Sequence, residues 1–408
     1  MLTPEEALNQ IFLHTPVLPS ETVDLEQAEG RVLTEELWAQ CELPPFDNSA
    51  MDGFAVRSQD VGEASKDRPV KLKVKEVIRS GGTPRFQVES GQAVKIMTGA
   101  PLPLGADSVV MKEFTNSQEN QEVLILRAAR KGENIRSKAE DIQMGRSLFR
   151  ARRRIRPYDV ALLAAQGFKT LSVVRKPKAA ILATGDELVS LSEPLAPGKI
   201  RNSNGPALAA FLSRWNVPYL DLGIAKDDSL ELEERLKDVF SLADVLIISG
   251  GVSVGDFDFT RTVLEKLGVQ EIFWKVAIKP GKPIFYGIKK GTDSDKIVFG
   301  LPGNPVSALV CLEEFVRPAL EKLQGFTPAH PSYHLEGKVV NAYLKSKDRQ
   351  QYLFCKARRS GKDWDLDILR PQGSAMLGMA AEANALAVAG IGIDQIHSGD
   401  RLLFRWIK

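Results

Sequence analysis

Between residues 176 and 327, short apolar runs alternate with stretches whose apolar positions recur every three to four residues. The pattern predicts strands at 179–183, 217–222, 245–248, 272–278 and 297–299, and helices at 207–215, 230–242, 259–267 and 306–323. Brief strands that are apolar throughout, each followed by a helix, point to a doubly wound, mostly parallel sheet covered on both faces. Ligands of such sheets bind beyond the carboxyl ends of the strands, so chemistry is expected in the loops that leave them there.

On either side the pattern changes. Residues 1–43 hold one amphipathic helix (Ala7, Leu8, Ile11, Phe12) and an extended segment, too little to fill a core alone. Thr3 and Glu6 form a capping-box start for that helix. Residues 44–145 are rich in Gly and Pro, with β-like runs at 71–78, 93–97, 108–114 and 122–128, and read as a β-barrel-like insertion. Residues 146–175 carry five arginines between Arg150 and Arg156, then a helix opened by Pro157 and a strand; with 1–43 they are assigned to a discontinuous, mixed N-terminal domain. No aromatic interleaving accompanies the arginines, so a solvated strand edge is expected rather than a nucleic-acid arm. Pro328 and Pro331 interrupt the helical pattern, and 328–408 returns to β-like runs at 335–340, 351–356, 385–391 and 400–406, a C-terminal β domain. The expected class is multidomain α/β plus β.

Composition narrows the function without naming it. The chain has 408 residues, 43% hydrophobic and 26% charged, and a formal net charge of +2, so an anion site must be local and no nucleic-acid or membrane partner is expected. No run approaches the ~18 apolar residues of a membrane span, and the cytoplasm is the expected location. Cys41, Cys311 and Cys355 form no CxxC pair and are expected to be free thiols. His14, His330, His334 and His397 share no ligand spacing, which argues against zinc catalysis.

Five loops carry candidate chemistry. Lys279-Pro280-Gly281-Lys282-Pro283 presents two ammonium groups on a backbone stiffened by two prolines, an anion clamp. Gly300-Leu301-Pro302-Gly303-Asn304-Pro305 leads into a helix, with Asn304 at the N-cap and Pro305 at the first helical position. Ser249 to Asp258 follows a strand and contains Gly250, Gly251 and Gly255, whose backbone N–H groups can approach an anion; it is neither a Walker A loop nor a GxGxxG turn. Thr184-Gly185-Asp186-Glu187 places two carboxylates at a strand end, and Asp227-Asp228 two more, although taken singly that pair is better explained as a cap for the helix beginning near Leu230. Carboxylates at three strand ends, a glycine loop and lysines at a fourth describe a crevice for a metal-bridged phosphoester beside a second anion.

The ordered segments Phe46 to Val56, Ile96 to Pro101, Gly132 to Arg136 with Glu140-Asp141-Ile142, Thr184 to Leu188, Ser249 to Gly255, Lys275 to Pro283 and Leu301 to Ser307 resemble the molybdopterin molybdenumtransferase family, which includes bacterial MoeA proteins and the E domain of gephyrin-type proteins. The resemblance implies a reaction of adenylylated molybdopterin with molybdate, assisted by Mg²⁺, that yields molybdenum cofactor and AMP. It implies that Asp52, Thr98, Arg136 and Asp141 face the site. Glu187, Asp227, Asp258, Lys275 and Lys279 would act from the α/β domain with Asp52, the first three as metal ligands. Ser249, Gly250, Gly251, Ser253, Lys282, Pro302 and Asn304 would bind substrate, and Arg349 and Ser374 would contact molybdate. It also implies an elongated homodimer, whose cleft combines the first β domain of one subunit with the α/β and C-terminal domains of the other, and transient contact with other molybdenum-cofactor biosynthesis proteins. One departure is evident: Phe354 stands where members often carry a second arginine. Two alternatives are a molybdopterin adenylyltransferase, against which the flanking β domains argue, and a non-catalytic cofactor-binding scaffold, which has no need of Asp52, Glu187, Asp258 and two clamp lysines.

Overall fold

The computed structural model describes residues 1–118, 121–251, 257–327 and 333–407, with backbone alone for 118 and 257–259. They form two compact units, Met1–Thr34 with Leu171–Lys408, and Glu35–Thr170. No described helix is long and apolar enough to cross a membrane.

The larger unit is built on a six-stranded sheet in the order Tyr219–Ala225, Ala179–Thr184, Val245–Ser249, Lys296–Leu301, Phe285–Lys289, Val269–Trp274. The first four strands are parallel and the last two antiparallel to their neighbours. Alternate residues feed two cores: Ala179, Ile181, Val245, Ile247 and Phe299 on one face, Ala180, Leu182, Leu246, Ile248 and Val298 on the other. Burial on both faces explains why these strands read as unbroken apolar runs. Helices Asn204–Arg214 and Pro305–Cys311 contribute to the first core, together with Pro4–His14, whose capping box is formed by Thr3 and Glu6. Ser229–Leu236 contributes to the second.

Three expectations are corrected in this unit. The strand expected at 272–278 is two elements, Val269–Trp274 and Ile278–Lys279, because Lys275 turns the chain with φ of 82°. The expected helix at 230–242 is Ser229–Leu236 followed by the short Val239–Leu242. The one at 306–323 is Pro305–Cys311 and Arg317–Leu323 joined by a π turn, Leu312–Val316.

The same unit ends in a closed barrel of Gln350–Ser360, Asp363–Ile368, Leu335–Val339, Arg401–Trp406 and Ala385–Ala389, the last pairing back to the first. Ile278–Lys279 adds to its rim, parallel to Gln350 and Gln351. Leu353, Cys355 and Ala357 fill the barrel, while Tyr352 and Phe354 on the opposite face join the core of the α/β sheet. Cys311 and Cys355 are buried free thiols and Cys41 is half-buried; burial pushes the Cys355 thiol up to about 12.

The smaller unit carries a six-stranded sheet in the order Ser108–Met111, Gly53–Val56, Gln92–Ile96, Val70–Ile78, Glu122–Ile125, Thr115–Gln118. Its alternation is clean: Phe54, Val56, Ala93 and Val110 face one cluster, Ala55, Val94 and Val109 another. In the arginine cluster of this unit, Arg150, Arg152, Arg154 and Arg156 are exposed, as a solvated edge requires, and Arg153 is half-buried. Arg153 and Arg156 both donate to the buried carboxylate of Asp159, and Arg153 lies 4.4 Å over the Phe149 ring.

Candidate active site

In the larger unit, the anion loop follows the rim strand Ile278–Lys279 and includes a cis Lys279–Pro280 peptide. Gly281 is required there: at φ of 107° a Cβ would come 2.6 Å from Cys311 Sγ, whose thiol donates to the Gly281 carbonyl. The loop is one wall of a cleft of about 410 Å³ that Lys279, Lys282, Pro302, Asn304, Arg349 and Ser374 also line. Among the described residues, three cations and no carboxylate line it. Arg349 Nε is buried without a hydrogen bond, at 3.4 Å from Asp348 Oδ2. Phe354 lines the cleft too, an apolar ring in its wall.

Lys275 is not part of that wall. Its ammonium lies 3.7 Å from the centroid of the Trp274 ring and its N–H donates to the Ile284 carbonyl.

A second cleft, of about 620 Å³, is lined by Thr184, Glu187, Asn204, Ser249, Gly250, Pro302 and Asn304 among others. Pro283, Pro302 and Asn304 belong to both clefts, so the two meet across that wall. Gly250 has φ of 97°, and a Cβ there would meet the Thr184 carbonyl oxygen at 2.1 Å; at Gly251 it would meet the hydroxyls of Thr184 and Thr260 at 2.8 Å. Only glycine allows the 249–251 backbone to press against the neighbouring strand end in this way. Asn204 ties the loops together, its Nδ2 donating to Ser249 Oγ at 2.6 Å and to the Gly303 carbonyl at 2.9 Å. Asn204 Oδ1 and Thr184 Oγ1 are buried and unpartnered, an amide acceptor and a hydroxyl without partners in a ligand-sized cleft.

Glu187 is exposed at this cleft, in the turn where Gly185 adopts φ of 151°. The backbone N–H of Asp227 donates to Asp186 Oδ1 at 3.3 Å, which joins the two acidic strand ends. Asp228 accepts from the N–H groups of Leu230 and Glu231 and is a helix cap. Asn304 occupies an N-cap position ahead of Pro305, but its side chain makes no capping bond and lines both clefts instead. Ser253 and the side chain of Asp258 lie outside the described residues.

In the smaller unit, Asp52 Oδ1 accepts from the N–H of Thr98 at 2.9 Å and from its hydroxyl at 2.8 Å, with Lys112 Nζ 3.8 Å from Oδ2. The bonds from Thr98, backbone first, hold the carboxyl below the ordinary carboxylate range. Arg136 is exposed on the short strand Ile135–Arg136, opposite Asn48, and Asp141 is exposed.

Sequence reasoning missed Asn204, Gln351 and Gln372. The polar run Asn202-Ser203-Asn204 ahead of a helix was a usable signal for the first; Gln351 enters the cleft through barrel register and Gln372 through its bonds to the Phe354 backbone.

Comparison with known proteins accords with this geometry. Residues 2–167 match the model of the MoeA N-terminal region (domain I and II), and residues 180–322 that of a probable molybdopterin binding domain. A molybdopterin molybdenumtransferase of Nostoc sp. is 38% identical over 98% of this chain and 92% of its own length; one of Bacillus subtilis is 39% identical over 78% and 74%. Among solved structures, a molybdopterin biosynthesis MoeA protein of Pyrococcus horikoshii superposes with a TM-score of 0.81 at 31% identity, covering 100% of this chain and 99% of that one. With both family regions matched in order and a curated relative aligned along nearly its full length, this chain belongs to the molybdopterin molybdenumtransferase family.

Proposed function

We propose that the protein is the enzyme that inserts molybdenum into molybdopterin, and that its substrates are molybdate and adenylylated molybdopterin, with AMP as the second product. The observation that carries this reading is the shared wall of Pro283, Pro302 and Asn304 between a cationic cleft and a larger one edged by Glu187, Ser249 and Gly250. An oxyanion in the first lies beside a phosphorylated pterin in the second. Water adds to a phosphorus of the phosphoanhydride, the P–O bond breaks, and AMP departs with its share of the negative charge.

Lys279, Lys282 and Arg349 supply fixed positive charge to molybdate and to the departing phosphate. Ser374, half-buried in the same wall, adds a hydroxyl donor. Glycines 250 and 251 let the backbone of the loop approach the substrate's phosphates. Lys275 is assigned to the same charge; its stacking on Trp274 is worth only about 0.5 to 1 kcal/mol, less than a charge-assisted bond to phosphate.

Magnesium is assigned to Glu187 and Asp227, with Asp258 as a further ligand. The exposed acidic edge suits it, because Mg²⁺ takes one or two carboxylates together with phosphates and water. Among the described residues no three-carboxylate cage is present, and this ion does not require one. When bound it would neutralise phosphate charge and polarise phosphorus.

Asp52, Thr98, Arg136 and Asp141 of the smaller unit are assigned to the same centre through a homodimer in which each cleft is completed by the other subunit. The four-part division at 43/44, 145/146, 175/176 and 327/328 is proposed with it, supported by cores of their own in the insertion and inside the barrel, while the core of the α/β sheet is shared with the N-terminal helix and the outer face of the barrel. A cytoplasmic location and passing contacts with other cofactor-biosynthesis proteins complete the reading. Purified protein supplied with adenylylated molybdopterin, molybdate and Mg²⁺ is expected to activate an apo-molybdoenzyme. Consumption of ATP with unadenylylated molybdopterin and no molybdate would favour an adenylyltransferase instead.

A further inference from the structure

One wall residue of the cationic cleft has no part in the chemistry above. Gln351 is 2% exposed and lines this cleft together with Lys279, Lys282 and Arg349. It is the register partner of Lys279 where the rim strand meets Gln350–Ser360, and it stands two positions beyond Arg349. Register partners share a face of a sheet, so amide and ammonium issue from the same side, and Arg349, just ahead of the strand, lines the same cleft.

One end of the amide is held and the other is not. Nε2 donates to the Tyr343 hydroxyl at 2.9 Å, whereas Oε1 is buried without a partner. A deprotonated oxyanion brings no proton to such an oxygen, and cations on other side chains are already committed to the anion. A half-turn of the amide exchanges its two ends. Oε1 then accepts from the Tyr343 O–H, and the N–H groups of Nε2 take the position that the unpartnered oxygen held, in a side chain that lines the cleft.

We infer that Gln351 contacts the tetrahedral oxyanion directly as an amide hydrogen-bond donor, with Tyr343 as the positioning residue that fixes the amide in that sense. The inference rests on the reading of the cleft as the molybdate site. It gives the cleft a neutral donor on a buried strand, supplementing the charge that Phe354 does not supply.

Calorimetric titration of sodium molybdate into the full chain tests it. Gln351→Met keeps the length of the side chain without its N–H and should raise the Kd roughly tenfold or more. Gln351→Glu, the same shape with acceptors only, should bind more weakly still. Tyr343→Phe should weaken binding about twofold to fivefold by releasing the amide. In turnover, Gln351→Met should raise KM for molybdate and leave KM for the pterin substrate unchanged. Undiminished affinity in Gln351→Met, or tighter binding in Gln351→Glu, overturns the assignment while Lys279→Ala still loses molybdate. Undiminished affinity in Lys279→Ala overturns the cleft reading itself. Should Gln351→Met fail to fold, Tyr343→Phe carries the test at a half-buried position, and unchanged affinity there overturns the proposal.

Discussion

Arg349 shows how a single side chain is poised for a ligand. Its Nε is buried without a hydrogen bond, 3.4 Å from Asp348 Oδ2, in a wall whose described residues include two lysines, so an anion there would offset desolvation that this one ion pair leaves. Arg349→Ala should weaken molybdate binding by about 1.5 to 3 kcal/mol, roughly tenfold to a hundredfold, with the thermal midpoint little changed. Asp159 shows the opposite case, a charge whose partners are internal. Burial pushes its carboxyl up, but bonds from Arg153 and Arg156 outweigh that and hold it at about 2, below the ordinary 3.8. A depressed carboxyl stabilises the fold above its unfolded value and loses that contribution as pH falls toward the folded one. Asp159→Asn should therefore cost about 2 to 3 kcal/mol at pH 7, and the difference from the unchanged protein should shrink between about pH 4 and pH 2 in urea titrations. The anion loop was legible in the sequence because its two lysines and two prolines are contiguous. Gln351 was not, since nothing local distinguishes it from a solvated strand residue; its place depends on pairing with Lys279, seventy-two positions earlier by subtraction of their numbers. The pairing of Arg153 and Arg156 was hidden for the same reason, their shared carboxylate partner lying on the following helix.

At the scale of elements, the site depends on places where regular structure is broken. Lys275 at φ of 82° ends one strand and redirects the chain so that Lys279 reaches the barrel rim. Non-glycine residues in that region carry strain that the surroundings must hold, which a hydrophobic period cannot announce. The glycine loop after Val245–Ser249 is held against Thr184 more closely than any side chain permits. Gly250→Ala is expected to lower the thermal midpoint and abolish binding of the pterin substrate, because the Thr184 strand end must move to admit the methyl; unchanged binding of that substrate would contradict this account of the loop. The π turn Leu312–Val316 turns Glu314 inward, where it accepts from Arg405 Nη2 and the Tyr333 hydroxyl, both at 2.9 Å. Burial pushes the Glu314 carboxyl above its ordinary range in spite of Arg405. Arg405→Met alone should destabilise by about 3 to 5 kcal/mol in chemical denaturation, and replacing Glu314 by Leu in the same chain should recover part of the loss.

At the scale of the molecule, the alternation of apolar strands and helices made the α/β sheet readable, since burial on both faces is written into consecutive residues. The closed barrel was less so: short alternating runs identify strands, but the return pairing of Ala385–Ala389 with Gln350–Ser360 has no local mark. The proposed homodimer, whose clefts draw Asp52 from one subunit and Lys279 from the other, gives a distinct expectation. Asp52→Ala and Lys279→Ala, each inactive alone, should regain about a quarter of the activity when mixed and allowed to exchange subunits, since one cleft in two of a random half-population of mixed dimers is intact. No regain despite exchange would contradict shared clefts. The central claim, that the cationic cleft takes molybdate beside an adenylylated pterin, is tested most directly by AMP release from adenylylated molybdopterin with Mg²⁺, followed with and without molybdate. The account predicts release that requires molybdate and is lost in Lys279→Ala; intact nucleotide after prolonged incubation with the unchanged protein and molybdate would contradict it.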